Sequence, residues 1–234
     1  LKEFLLSNYS FLTKSVIAFA AITGLYFYRS YKNTVGVYFI WYLIAVFFME
    51  LIGFYPRYFR DWGIYYSIEG TLFQRNYWFY NLCWCIGSPL FFSFYYRQII
   101  SDSRYKKWIK IATWAFLAII LVYIVLDYNV FFEGFVNTIN ISGMTLIVCC
   151  ITFYFLEVLR SDKILNFHKS LNFYISAIIL LYFLVTQPLI FFDTYNSQSD
   201  IEYVHLKDLI RLTSNLLMYL SFSIALVWCN PQNK

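Results

Sequence analysis

Charge is scarce in this sequence. Asp, Glu, Lys and Arg make up 13% of its 234 residues, while 61% are hydrophobic and 24% aromatic. A soluble domain carries about a quarter charged residues, so water is a poor solvent for this chain. Histidine is scarcer still. His168 and His205 are the only two, both expected in loops, and two histidines exclude the polyhistidine zinc centre of seven-helix hydrolases. The five cysteines lie within or at the ends of apolar segments and form no C-x-x-C pair, so they read as small buried hydrophobes rather than a disulfide framework. H-E-x-x-H, G-x-S-x-G and a phosphate-binding glycine loop are absent, as are a catalytic cysteine–histidine pair and paired intramembrane aspartates. The last apolar segment holds no deep lysine for a retinal Schiff base. No catalytic motif, metal site or cofactor is expected; Glu50 could act as a base for an enzyme, but no motif supports that role. The formal net charge of +5 resides in short loops, where it signals membrane topology and not nucleic-acid binding.

Long apolar runs fill the space that charge leaves. Seven can be read, at roughly 9–28, 35–55, 77–96, 108–126, 135–157, 170–192 and 206–229, each near the ~20 residues that cross a bilayer. The first is not read as a signal peptide, because Lys14 interrupts its centre and bulky Tyr26, Phe27 and Tyr28 replace small cleavage-site residues. The expected fold is an all-α polytopic bundle of seven transmembrane helices in a single membrane domain over 1–234. Arg29, Lys32, Arg97, Arg104, Lys106, Lys107, Arg160, Lys163, Lys169 and Lys234 belong to the loops after helices 1, 3 and 5 and to the C-terminus. Asp127, Glu133, Asp193, Asp200 and Glu202 belong to the loops after helices 4 and 6. The positive-inside rule then places the N-terminus outside and the C-terminus in the cytoplasm. Arg57, Arg60 and Arg75 dissent, in a long aromatic connection (56–76) that reads as an interfacial segment or as a lid.

Polar residues recur at one depth. Counted from the cytoplasmic helix ends, Lys14 and Glu50 lie roughly 22 Å up, Asn81 roughly 24 Å, Asn140 and Arg211 roughly 26 Å, and Gln187 about 27 Å. Asp208, Arg211 and Asn215 stand three and four apart and so share one helix face, with Asp208 nearer water and Asn215 as a floor. Buried polar groups in hydrocarbon need partners, so this layer predicts either an outward-facing cavity or a closed network that fixes bundle geometry. Helix 4 contributes nothing to the layer and is the expected lipid-facing member. Pro89 and Pro188 interrupt the ladders of helices 3 and 6, while Ala18, Ala20, Ala21 and Gly24 permit close approach to helix 1.

The segments TVGVYFIWYLIAVFFMELIG and HKSLNFYISAIILLYFLV, with the basic inner loops, make the chain similar to a group of uncharacterised bacterial seven-helix membrane proteins. That resemblance implies seven helices and no activity, and the expected location is a bacterial inner (plasma) membrane. Three functions follow from the polar layer. A receptor-like sensory or regulatory protein would bind a small or lipid-borne ligand in the cavity. It would signal to a cytoplasmic partner through the basic surface of Arg97, Arg104, Lys106, Lys107 and Lys110, cations that anionic lipid also attracts. A small-molecule or proton-coupled transporter would use Glu50 and Arg211, but the apolar inner halves offer it no path. A structural subunit of a larger membrane complex would use the layer as internal glue, with other membrane subunits and the lipid bilayer as partners.

Overall fold

The computed structural model describes residues 2–126, 128–195 and 201–231, with the side chains of 162, 163, 166, 191 and 193–195 left aside. Asp127, Asp200 and Lys234, and the side chains of Lys163 and Asp193, which enter the loop-charge argument, lie outside the described residues. Every extended run of apolar residues is helical, and no strand occurs among the described residues. In order these are α1 (Lys2–Ser7), α2 (Tyr9–Tyr31), α3 (Gly36–Ile52), α4 (Tyr55–Asp61), α5 (Tyr77–Tyr80), α6 (Ser88–Ile99), α7 (Ser103–Leu126), α8 (Tyr128–Glu133), α9 (Asn137–Leu159), α10 (Leu171–Tyr195) and α11 (Ile201–Trp228).

Six helices are long and apolar enough to cross a membrane: Tyr9–Tyr31, Gly36–Asp61, Ser103–Leu126, Asn137–Leu159, Leu171–Ile190 and Ile201–Trp228. The third expected span is built differently. Between α5 and α6 the chain winds as a π-helix over Asn81–Gly87, so Tyr77 to Ile99 is helical throughout but in three consecutive pieces. Pro89 supplies the reason. It has no N–H to give Cys85, and its ring would strike that carbonyl in a regular α-helix. Widening the preceding turn relieves both problems, and the Ser88 N–H reaches back five residues to the Cys83 carbonyl.

The chain forms two compact units. The first comprises 1–47 and 162–234. Within it α11 packs on α2 and α10. Phe39 meets Phe222 edge-on at 4.9 Å, and the buried Tyr31 hydroxyl donates to the Leu226 carbonyl at 2.9 Å. Gly24 faces Ile40, whose Cγ2 would lie 3.2 Å from an added Cβ. The helices come together there because the glycine has no side chain.

The second unit, 48–161, centres on α6, α7 and α9. Tyr95, Tyr96, Phe92, Phe116, Ile139 and Ile151 form part of its core. Basic residues expected in a loop prove helical here. Asp102 caps α7 by accepting the Arg104 N–H at 2.8 Å, so the helix begins at Ser103 and carries Arg104, Lys106 and Lys107 in its first turns. The long aromatic connection is also folded, with α4, a 3-10 turn at Tyr65–Ser67, and left-handed glycines at Gly63 and Gly70.

Candidate functional site

The expected polar layer divides between the two units. Lys14, Gln187, Asp208, Arg211 and Asn215 belong to the first, and Glu50, Asn81 and Asn140 to the second.

In the second unit Asn81 is completely buried at the start of the π-helix. Its amide nitrogen donates to the carbonyls of Phe131 and Gly134 at 2.9 and 2.8 Å. Its oxygen accepts the Val136 N–H at 3.5 Å and faces the Cys85 thiol at 3.7 Å. An asparagine amide offers two donors and one acceptor oxygen, and all are used in holding the connection from α8 to α9. Asn140 is half-buried one turn into α9 and donates its backbone N–H to Val136.

Glu50, half-buried near the end of α3, accepts a hydrogen bond from the Tyr80 hydroxyl. Gly53 makes this reach feasible, because a Cβ there would lie 2.7 Å from both the Cζ and the hydroxyl of Tyr80. Beside this pair the aromatic connection is fastened at its base. The Asn76 amide donates to the Gly53 carbonyl at 2.7 Å. The Tyr55 hydroxyl lies 2.5 and 2.9 Å from the Phe73 and Arg75 carbonyls and accepts the Trp78 indole N–H at 2.9 Å. Arg60 lies over the Tyr65 ring at 5.1 Å and Arg57 over Phe54 at 5.9 Å, so two of the dissenting arginines rest on aromatic faces.

In the first unit Arg211 is half-buried on α11, with Asp208 one turn before it and Asn215 one turn after. The Tyr182 phenol of α10 lies within electrostatic reach of the Arg211 guanidinium and of the Tyr9 phenol at the start of α2. Tyr182 is thus the phenol set near Arg211, and Tyr9 lies near Tyr182. Lys14 lies farther along α2 and Gln187 farther along α10, both half-buried. Lys207, at the head of α11, lies over the Tyr203 ring at 5.6 Å.

No family model, curated protein or solved structure matches the chain. Among the described residues no group of His, Cys, Asp and Glu could hold a metal ion.

At the end of the second unit that carries the basic residues, Glu157 is buried on α9 and its Oε2 accepts the N–H groups of Ser101 and Asp102 at 2.8 and 3.0 Å. Asp102 pairs with Arg104 at 3.3 Å. The Arg104 backbone N–H, and after it the guanidinium, holds the Asp102 carboxyl below its ordinary range. Arg160 donates to the Tyr105 hydroxyl at 2.9 Å, and Tyr105 stacks on Phe153. Arg97, Arg104, Lys107 and Lys110 are exposed, and Lys106 is half-buried.

Sequence reasoning passed over Tyr80, Tyr182 and Glu157. Tyrosines are so abundant here, 23 of 234, that none stands out by type. Glu157 had a detectable signal, a carboxylate three residues before Arg160 at a helix end.

Proposed function

We propose that this chain is a receptor-like integral membrane protein that binds a small or lipid-borne ligand along the α11 face of Asp208, Arg211 and Asn215. The observation that carries the reading is the setting of Arg211. It is a guanidinium on an apolar span, and the Tyr182 phenol of α10 lies within its electrostatic reach, with the Tyr9 phenol of α2 near Tyr182 in turn. Ionised groups within a span are expensive and tend to face a protein interior or a wet cavity. A guanidinium fork near a phenolic hydroxyl presents donors suited to a carboxylate, phosphate or carbonyl oxygen.

In this reading the chain crosses the membrane seven times, because Tyr77–Ile99 is helical over the length of a span despite its π segment. The ligand face opens outside, opposite the basic loops, in the inner membrane of a bacterium. A thermal-shift screen of the purified protein against carboxylates, phosphates and lipid-derived acids tests the reading. At least one compound raises the Tm, and Arg211→Gln and Tyr182→Phe abolish the shift while melting close to the parent. Shifts unchanged in both variants, or absent from the whole panel, would sink it.

A second reading, a structural subunit of a larger membrane assembly, draws on Asn81. Every polar group of that side chain is spent on the protein itself. Copurification of a stoichiometric membrane partner that Arg211→Gln leaves bound would favour it.

A further inference from the structure

We propose that the outer face of α7 is lipid-facing and that its first two turns bind the headgroup of an anionic phospholipid. α7 has the smallest buried share of the six long helices, 17% of its most apolar stretch against 28% or more elsewhere. Its exposed side is ordered along the axis. Arg104, Lys107, Ile111, Trp114, Leu121 and Val125 follow one another at spacings of three, four or seven residues, and all are exposed. Ile109, Phe116 and Ile120 on the opposite side are buried.

The order along this stripe is that of a bilayer. Cations come first, with Lys110 flanking them. Trp108 and Trp114, 58% and 64% exposed, lie over the next turns. Apolar side chains then run to Leu126, about 22 Å of helix beyond Ile111. The polar side chains in that run are satisfied within the second unit: Thr113 bonds to the Ile109 carbonyl and Ser93, and Tyr123 to Thr138. The exposed face therefore asks nothing of its solvent but hydrocarbon. Tryptophan favours the headgroup boundary, and lysine stems can lie along apolar surface with their ammonium groups outward.

Charge complementarity selects the headgroup. Lys107 and Lys110 are exposed a turn apart, and Arg104 adds a guanidinium whose pair with Asp102 is at the surface. Asp102 is the acidic group facing this cluster from the preceding loop, and it is engaged with the Arg104 backbone as well as its side chain. A protein partner would have no need of this layered order, whereas a lipid leaflet imposes it.

The test is native mass spectrometry of the detergent-solubilised protein titrated with phosphatidylglycerol or phosphatidylcholine. Phosphatidylglycerol adducts dominate, and Lys107→Gln with Lys110→Gln weakens them about thirtyfold, since each cation near an anionic surface contributes about fivefold to the attraction. The double change to arginine keeps them, and Lys32→Gln, on an exposed lysine of the first unit, leaves them unaltered. Equal adducts with both lipids, or phosphatidylglycerol adducts indifferent to the double glutamine change, would overturn the assignment.

Discussion

The ring of Pro89 rests against the bare α-carbon of Gly143. A Cβ on that glycine would lie 2.7 Å from the proline Cγ, 2.9 Å from the Cys85 carbonyl oxygen and 3.3 Å from the Phe116 ring. α9 therefore comes closest to the π-wound segment where one helix has no side chain and the other no amide hydrogen. The widened turn and the glycine are two halves of one packing solution.

Gly143→Ala should accordingly destabilise the protein by about 1–3 kcal/mol, the usual cost of overpacking, despite alanine's better helix propensity. Gly134→Ala, where nothing lies within 4 Å of the added Cβ, should be near neutral. Thermal unfolding in detergent separates the two. Equal Tm values would show that α9 moves away from Pro89 at no cost.

Asn81→Leu removes a fully buried amide and leaves the Phe131 and Gly134 carbonyls and the Val136 N–H without it. Each buried group left unpaired costs about 1–3 kcal/mol. The Tm should fall, and amide exchange should rise through 131–136 before it rises elsewhere. Unchanged protection in that connection would disprove the clamp.

Glu157→Ala should release the start of α7, because one carboxylate oxygen holds both the Ser101 and Asp102 N–H groups. Hydrogen bonds to a charged group contribute about 1.5–3 kcal/mol in total terms for such a contact. Glu157→Gln keeps an acceptor oxygen and should lose less. Hydrogen exchange over 101–106 measures the difference, and equal exchange in the two variants contradicts it.

The cap at Asp102 should weaken in acid. Its carboxyl titrates lower in the folded protein than the ~3.9 of an unfolded aspartate, because the Arg104 backbone and guanidinium favour the charged form. The contribution is then fully present above the unfolded value and is lost as pH falls through the lowered folded one. Fraying of the first turn of α7 should therefore set in below about pH 4. Asp102→Asn, which caps without a titrating group, should show no such step. A step of the same size in that variant would place its origin elsewhere.

Much of the architecture was legible without coordinates. Apolar runs of about 20 residues satisfy their backbone in hydrocarbon by coiling into helices, and six of the runs form helices long and apolar enough to cross a membrane. Gly24 and Pro89 could be identified because their effects are local, one lacking a side chain and the other an amide hydrogen. The charge of Arg211 on an apolar span was visible for the same reason. What surrounds it was not. Whether Asn81 lines a space or spends its amide on Phe131 and Gly134 depends on where a connection fifty residues away returns. That Glu50 meets Tyr80, and that Tyr182 comes within electrostatic reach of Arg211, depends on the rotation of each helix about its axis. Hydropathy records how far a helix extends into the membrane and says little about which way its side chains turn. Among 23 tyrosines, only packing decides which phenol a half-buried charge will find.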